Sequence, residues 1–190
     1  MKGTVAAALA AVCLVSAAEE LSAQTKAPVH FIAPAQMAGT GCPSGSVRAS
    51  GEGSSALTVA LSKYDAASPA SAAASGMERA ACSFALPLRV PKGYQISSLT
   101  MTWKGRAKGA TELRREYFLA GERGPVKTSQ PSGRFKEQDK LPGSLFSACG
   151  EDLVLRINSS VRATAPGGQI TVGGQSGKLS LRLKWQKCRS

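Results

Sequence analysis

From Gly45 onward the apolar residues of this chain recur at every second position, in short runs separated by glycine and proline. A period of two places successive side chains on opposite faces of a strand, so each run specifies a β-strand with one apolar face. Val47 and Ala49 oppose Ser46 and Arg48, and after the turn at residues 51–55 Leu57, Val59 and Leu61 alternate with Thr58, Ala60 and Ser62, which predicts a hairpin. Ala80, Cys82, Phe84, Leu86, Leu88 and Val90 form the clearest inward set, and Pro87 predicts that this strand lies at an edge or carries a bulge. Leu99, Met101 and Trp103 follow, then Leu113, Tyr117 and Leu119, then Leu153, Leu155, Ile157 and Val161, and finally Leu179, Leu181, Leu183 and Trp185. A brief strand fits between the glycine turns of residues 167–174. Many short strands without an amphipathic helix of normal length predict an all-β fold, an antiparallel β-sandwich or a related barrel.

Three stretches lack this pattern. Residues 24–38 hold two prolines and read as an extended lead-in segment before a single domain at 39–190. Residues 65–77 are rich in Ala and Ser and read as an exposed loop. Residues 121–144 combine prolines, glycines and many charges and read as loop with at most one short strand.

The first 23 residues have the make-up of a secretory signal: Lys2, an apolar run from Val5 to Val15, then small residues with cleavage positions after Ala17, Ala18 or Ala23. The run is too short for a spanning helix of about twenty residues, and no later stretch is long enough. The expected destination is extracellular, or periplasmic in a Gram-negative host. Removal of Cys13 with the signal leaves Cys42, Cys82, Cys149 and Cys188, an even number for an oxidising compartment and two disulfides. If the last two long strands pair as neighbours about a centre near Gln169, Cys149 meets Cys188 and Cys42 is left for Cys82, among three possible connectivities. Each bridge would close a loop of about 40 residues, for which the chain-entropy model gives about 4 kcal/mol. A zinc site is disfavoured, because there is no Cys-x-x-Cys and His30 is the only histidine.

The chain carries 24 Lys and Arg against 12 Asp and Glu, a net charge of +12. Arg48, Arg79, Arg89, Lys104, Arg106, Lys108, Arg156, Arg162, Arg182 and Lys184 all oppose the apolar set of their strands and so face solvent. Spread over two outer faces they would only confer solubility. The sharper expectation is that Lys104, Arg106, Lys108, Arg156, Arg182 and Lys184 share one sheet and form a patch for an anionic partner. An anionic glycan, a cell-wall polymer or a lipid headgroup suits an exported protein. Aromatic residues at 5% are too few for the stacking platforms of nucleic-acid binders.

Catalytic patterns are weak. His30 lies in the irregular lead-in, where a preorganised triad has no scaffold. Asp65, Glu112, Glu116, Glu151 and Asp152 are the carboxylates a hydrolase would have to pair, and none has a recognisable setting. Residues 173–178 lack the spacing and the Ser or Thr of a phosphate loop, so no cofactor is implied. Asn158-Ser-Ser160 is a glycosylation sequon in a eukaryotic host.

Several short motifs occur in order: Gly39-Thr-Gly-Cys-Pro-Ser-Gly-Ser-Val47, Cys82 in a strand that ends Val90-Pro-Lys-Gly93, Trp103-Lys-Gly105, Tyr117-Phe-Leu-Ala-Gly121, Ser147-Ala-Cys-Gly150 and Trp185-Gln-Lys-Cys188. In this the chain resembles the uncharacterised secreted family known as domain of unknown function 4360. It departs from the family pattern at Phe146 and Ala148 and in the Ala/Ser stretch after Tyr64. The resemblance implies secretion and a cysteine-stapled β domain, and it supplies no activity. The expected function is therefore non-enzymatic binding of an anionic surface or macromolecule, polysaccharide or cell envelope. The alternatives are an effector or inhibitor that binds a protein through residues 121–144, and a carboxylate-dependent hydrolase.

Overall fold

A computed structural model describes residues 27–70, 78–119, 121–145 and 149–188. The signal segment at 1–23, the departures at Phe146 and Ala148 and much of the Ala/Ser stretch lie outside them. The strands in chain order are β1 (His30–Phe31), β2 (Gln36–Ala38), β3 (Val47–Ser50), β4 (Ala56–Leu61), β5 (Asp65–Ala67), β6 (Arg79–Arg89), β7 (Tyr94–Lys108), β8 (Thr111–Leu119), β9 (Glu122–Ser129), β10 (Gly133–Pro142), β11 (Leu153–Ala163), β12 (Gln169–Val172) and β13 (Leu179–Lys187). They form two antiparallel sheets whose apolar faces meet, a β-sandwich. The first sheet runs β1-β6-β11-β8-β9, with β2 also on β6. The second runs β3-β4-β13-β7, with β12 and then β5 beside the last residues of β7 and β10 along the other flank of β7.

The alternation read from the sequence is the burial pattern observed. Leu57, Val59, Leu61, Phe84, Leu86, Leu99 and Met101 are all buried. Trp103 of the second sheet meets Phe84 of the first edge to face, with ring centroids 6.1 Å apart. The β3–β4 hairpin forms in the expected register, Val47 opposite Leu61. Pro87 is not on an edge strand: β6 is flanked by β11 on one side and by β1 and β2 on the other. Its carbonyl accepts from the Ile32 N–H on the β1 side. The missing Pro87 donor therefore faces the break between β1 and β2, where no ladder bond is needed.

The irregular stretches are more ordered than their composition suggests. Residues 30–31 and 36–38 are strands on β6, and Val29 and Phe31 join the core. Asp65–Ala67 pairs with β12. Residues 121–144 are not a presenting loop but two strands, and the chain changes sheet between them: β9 extends the first sheet beside β8, and β10 extends the second beside β7.

Both expected disulfides are present, Cys42–Cys82 and Cys149–Cys188, with Cα separations of 5.5 and 5.9 Å. The pairing of β11 with β13 that suggested the second bridge does not exist. β11 lies between β6 and β8 in the first sheet, and β13 lies between β4 and β7 in the second. The bridge instead ties the two sheets together where β11 begins and β13 ends. Beside the other bridge, Gly41 leaves room for the Tyr64 ring, with which any Cβ there would collide. The Tyr64 hydroxyl donates to Ser159 Oγ at 2.7 Å, and Ser159 donates on to the Cys82 carbonyl at 3.0 Å.

A second polar pin crosses between the sheets. Arg115 and Asp139, both buried, pair with Nε 2.9 Å from Oδ2, although that approach is not aligned as a hydrogen bond. Arg115 Nη1 donates to Ser129 Oγ at 2.7 Å and Nη2 to Asp139 Oδ1 at 3.4 Å. The Tyr117 hydroxyl donates to Asp139 Oδ2 at 2.6 Å and lies 3.3 Å from the Trp103 indole donor. Burial, and next the Asp139 charge, push the Tyr117 phenol far above its ordinary value, and burial does the same to Tyr64.

Candidate functional site

The outer side of the second sheet is built on β7, whose inward Leu99, Met101 and Trp103 fix its opposite side outward. That side presents Lys104, Arg106 and Lys108. Edge strand β10 adds Arg134, Lys136 and Lys140, and β13 on the other flank adds Arg182 and Lys184. The register sets like charges opposite one another: Lys104 against Lys136, and Arg106 against Arg134. Cross-strand pairs of like charge destabilise a sheet. No outward position of β7, β10, β12 or β13 carries a carboxylate, and none of the ion pairs Arg89–Asp152, Arg114–Glu116, Arg115–Asp139 and Arg123–Glu116 includes a cation of this face.

At one end of the face, Arg106, Lys108, Arg134, Gly133, Gln169 and Thr171 line an open depression of about 430 Å³. On the inward side of β7, Gly105 lets β12 and β10 close up on it, since any side chain there would collide with the Thr171 carbonyl and the Phe135 ring. Three cations and two polar side chains around a shallow concavity can hold a carboxylate, sulfate or phosphate group by charge-assisted hydrogen bonds.

Five of the six cations expected to cluster do so: Lys104, Arg106, Lys108, Arg182 and Lys184. Arg156 does not. It lies on β11 in the other sheet and is exposed on the opposite side of the sandwich, beside Gln36, Ser83 and Asn158. The loop reading of residues 121–144 hides Arg134, Lys136 and Lys140. Their signal is an alternation in which even positions are basic or amide and odd positions read Phe135, Glu137, Asp139, Leu141, so two acidic residues interrupt the apolar set. Arg115 likewise interrupts an apolar set, between Leu113 and Tyr117 on the inward side of β8.

The other candidates are placed apart from this face. On the first sheet, burial alone would raise the Glu116 carboxyl, but hydrogen bonds from Arg123 Nε (2.6 Å) and Arg114 Nη1 (3.1 Å) outweigh it and hold the group below its ordinary value. Glu112 and Glu116 both face outward on β8, about 14 Å apart at 3.4 Å per residue, too wide for a glycosidase pair. Asp152 accepts from the Val90 N–H at 2.7 Å and pairs with Arg89 at 3.3 Å. It lines a 530 Å³ depression with Glu151. Asp65 is at the β5 edge of the second sheet. His30 Nδ1 lies 2.9 Å from the Ala27 carbonyl and 3.1 Å from that of Pro28. Asn158 is exposed on β11. Trp185, expected in the core, is 40% exposed. The register of β13 against β7 shifts between Lys184 and Trp185, and beyond the shift the ring packs on Tyr94 instead. Among the described residues no three of His, Cys, Asp and Glu converge as a metal site, and no helix is long and apolar enough to cross a membrane.

Residues 30–188 match the family described as domain of unknown function (DUF4360). The chain belongs to this family. A curated relative of this DUF4360 protein is an uncharacterized secreted protein of Arthroderma benhamiae, 27% identical over 168 residues that cover 79% of this chain and 68% of the relative. With its two disulfides, the DUF4360 chain is likewise a secreted protein. Among solved structures, TmCBM61 in complex with beta-1,4-galactotriose aligns over 83% of this chain and 90% of that one, at 10% identity and a TM-score of 0.34. The enzymatically active domain of tailspike protein 4 from bacteriophage CBA120 aligns over 82% of this chain and 20% of that one, at 12% identity and a TM-score of 0.31. At these TM-scores neither likeness carries an argument about ligand or activity.

Proposed function

We propose that this DUF4360 protein is a secreted, non-enzymatic binder of acidic polysaccharide, which it holds on the outer face of the second sheet. The observation that carries this reading is the pairing of Lys104 with Lys136 and Arg106 with Arg134 on a face without an outward carboxylate on β7, β10, β12 or β13. Such an arrangement costs stability in the free protein and is offset only when an anion arrives. The chemistry of the face favours a glycan over other polyanions. Its uncharged positions include the hydroxyl and amide groups of Ser98, Thr100, Thr102, Gln138, Gln169, Thr171 and Ser180, suited to sugar hydroxyls. Nucleic acid would call for stacking aromatics and a bilayer for apolar side chains able to insert, and the outward rows from Lys108 to Ser98 carry neither, the exposed Trp185 standing beyond them against Tyr94.

The test is calorimetric titration with polygalacturonate, a linear polymer with one carboxylate per sugar, and with an uncharged galactan of similar length. The acidic polymer should bind, with affinity falling steeply as salt rises through the physiological range. Arg106→Glu with Arg134→Glu should weaken it at least tenfold, while Arg79→Glu on the first sheet leaves it within about twofold. Equal affinity in both variants, or equal binding of the neutral polymer, would remove the case for this face.

A further inference from the structure

We infer that the bound polysaccharide lies lengthwise along β7 and bridges two separate cationic stations, so that binding selects for chain length. This rests on the acidic-polysaccharide reading above and adds the direction and minimum extent of the ligand. The register defines successive rows across the second sheet. Lys108 stands opposite Gln169, Arg106 opposite Arg134 and Thr171, and Lys104 opposite Lys136. These rows form the first station, which includes the 430 Å³ depression. The next row is uncharged: Thr102 lies opposite Gln138 on one flank and Ser180 on the other, and the Gln138 amide donates to Thr102 Oγ1 at 3.3 Å. Cations then return, with Lys140 and Arg182 on either side of Thr100, and Lys184 beside Ser98.

With a rise of about 3.4 Å per residue, the first station is about 14 Å long, and about 14 Å more separates Lys104 from the Lys140–Arg182 row. The whole track from Lys108 to the Lys184 row spans about 34 Å. A crosswise path is disfavoured by the same register. The row through Arg134, Arg106 and Thr171 runs on to Asp65, which stands opposite Thr171 and would repel the polyanion. The lengthwise path meets cations at both ends and sugar-compatible Gln138 and Ser180 between them. An oligomer confined to one station gains nothing from the other, whereas one that reaches both gains the second contact intramolecularly.

The experiment titrates size-fractionated oligogalacturonides into the unmodified protein and into Arg182→Gln with Lys184→Gln, two exposed positions. A melting curve for each protein confirms that both are folded. Oligomers of about 15 Å should lose much less in the variant than long ones, because the first station, which the variant leaves intact, can hold them whole. Oligomers longer than about 30 Å should bind the unmodified protein at least tenfold tighter than the short ones and lose that gain in the variant. Retention of the whole gain in the variant, or an equal loss at both lengths, overturns the lengthwise track. Length-independent affinity overturns the track while leaving the polysaccharide reading intact, and no binding at any length to the unmodified protein overturns that reading itself.

Discussion

On the outside of the first sheet Glu116 sits between Arg114 and Arg123, at 3.1 and 2.6 Å, Arg89 is paired with Asp152, and the like-charge pair Arg79–Arg162 has Glu112 next in its row. On the outside of the second sheet Lys104 faces Lys136 and Arg106 faces Arg134, and that row reaches a carboxylate only at Asp65, two strands beyond Arg106. The same fold thus carries one face on which carboxylates stand among the cations and one on which the cations of β7, β10 and β13 face one another without them. A net charge of +12 says nothing about this division. The first face behaves as a surface arranged for stability. On the function proposed above, the second would store repulsion that an anionic partner relieves, the usual relation between a binding site and the stability of its free state.

Both faces hang on one interior, and the largest expected effect is there. Asp139 lies on the inward side of β10, the strand that supplies Arg134, Lys136 and Lys140 to the cationic face, and it compensates Arg115 from the other sheet. Asp139→Ala strands a buried guanidinium and should cost about 3–5 kcal/mol, a fall in melting temperature of roughly 6–20 °C. Replacing Arg115 as well, by Met, should recover part of the loss. A cost below about 1 kcal/mol would mean that the pair does not hold the sheets together. The same cluster contributes to the alkaline limit, as the buried Tyr64 does. Because burial and Asp139 raise the Tyr117 phenol in the folded state, its contribution is fully present below about pH 10 and is lost as pH climbs above that value. Tyr117→Phe should flatten this alkaline slope.

A smaller effect separates the faces by pH. The folded Glu116 carboxyl lies below its ordinary 4.5, so its contribution is present above that pH and is lost as pH falls from there towards the lowered folded value. Melting temperature measured from pH 7 down to 3 should therefore drop less in Glu116→Gln than in the unmodified protein, and the two curves should converge in acid. Parallel curves would show that the arginines do not hold this carboxylate.

The strands that built both faces were legible where alternation was uninterrupted, as in Leu57–Val59–Leu61 or Leu99–Met101–Trp103. Alternation fixes which side of a strand is buried, but not which sheet the strand joins. For that reason alternation alone groups Arg156 with cations that lie across the sandwich from it. Likewise the bridge between Cys149 and Cys188 exists although the hairpin that predicts it does not. Neither sheet membership nor the crossing between β9 and β10 leaves a local trace. β10 itself was obscured because Asp139 occupies a core position whose partner, Arg115, is 24 residues away in the other sheet. A buried ion pair reads as two surface charges until both strands are placed.

The smallest effect, in Lys104 and Lys136, tests the contrast most directly, because it predicts a sign. In a double-mutant cycle with Lys104→Gln and Lys136→Gln, the coupling between the two lysines should be repulsive by about 0.2–1 kcal/mol at low salt. It should vanish near 1 M salt, where the screening length is about 3 Å. A cycle between Arg123 and Glu116 on the other face should give attractive coupling. Each lysine replacement should also weaken polygalacturonate binding, so that relieving the repulsion and losing affinity go together. An attractive coupling between Lys104 and Lys136, or one unchanged by salt, would mean that the second face stores no repulsion for a ligand to relieve, and the difference between the two faces would reduce to composition.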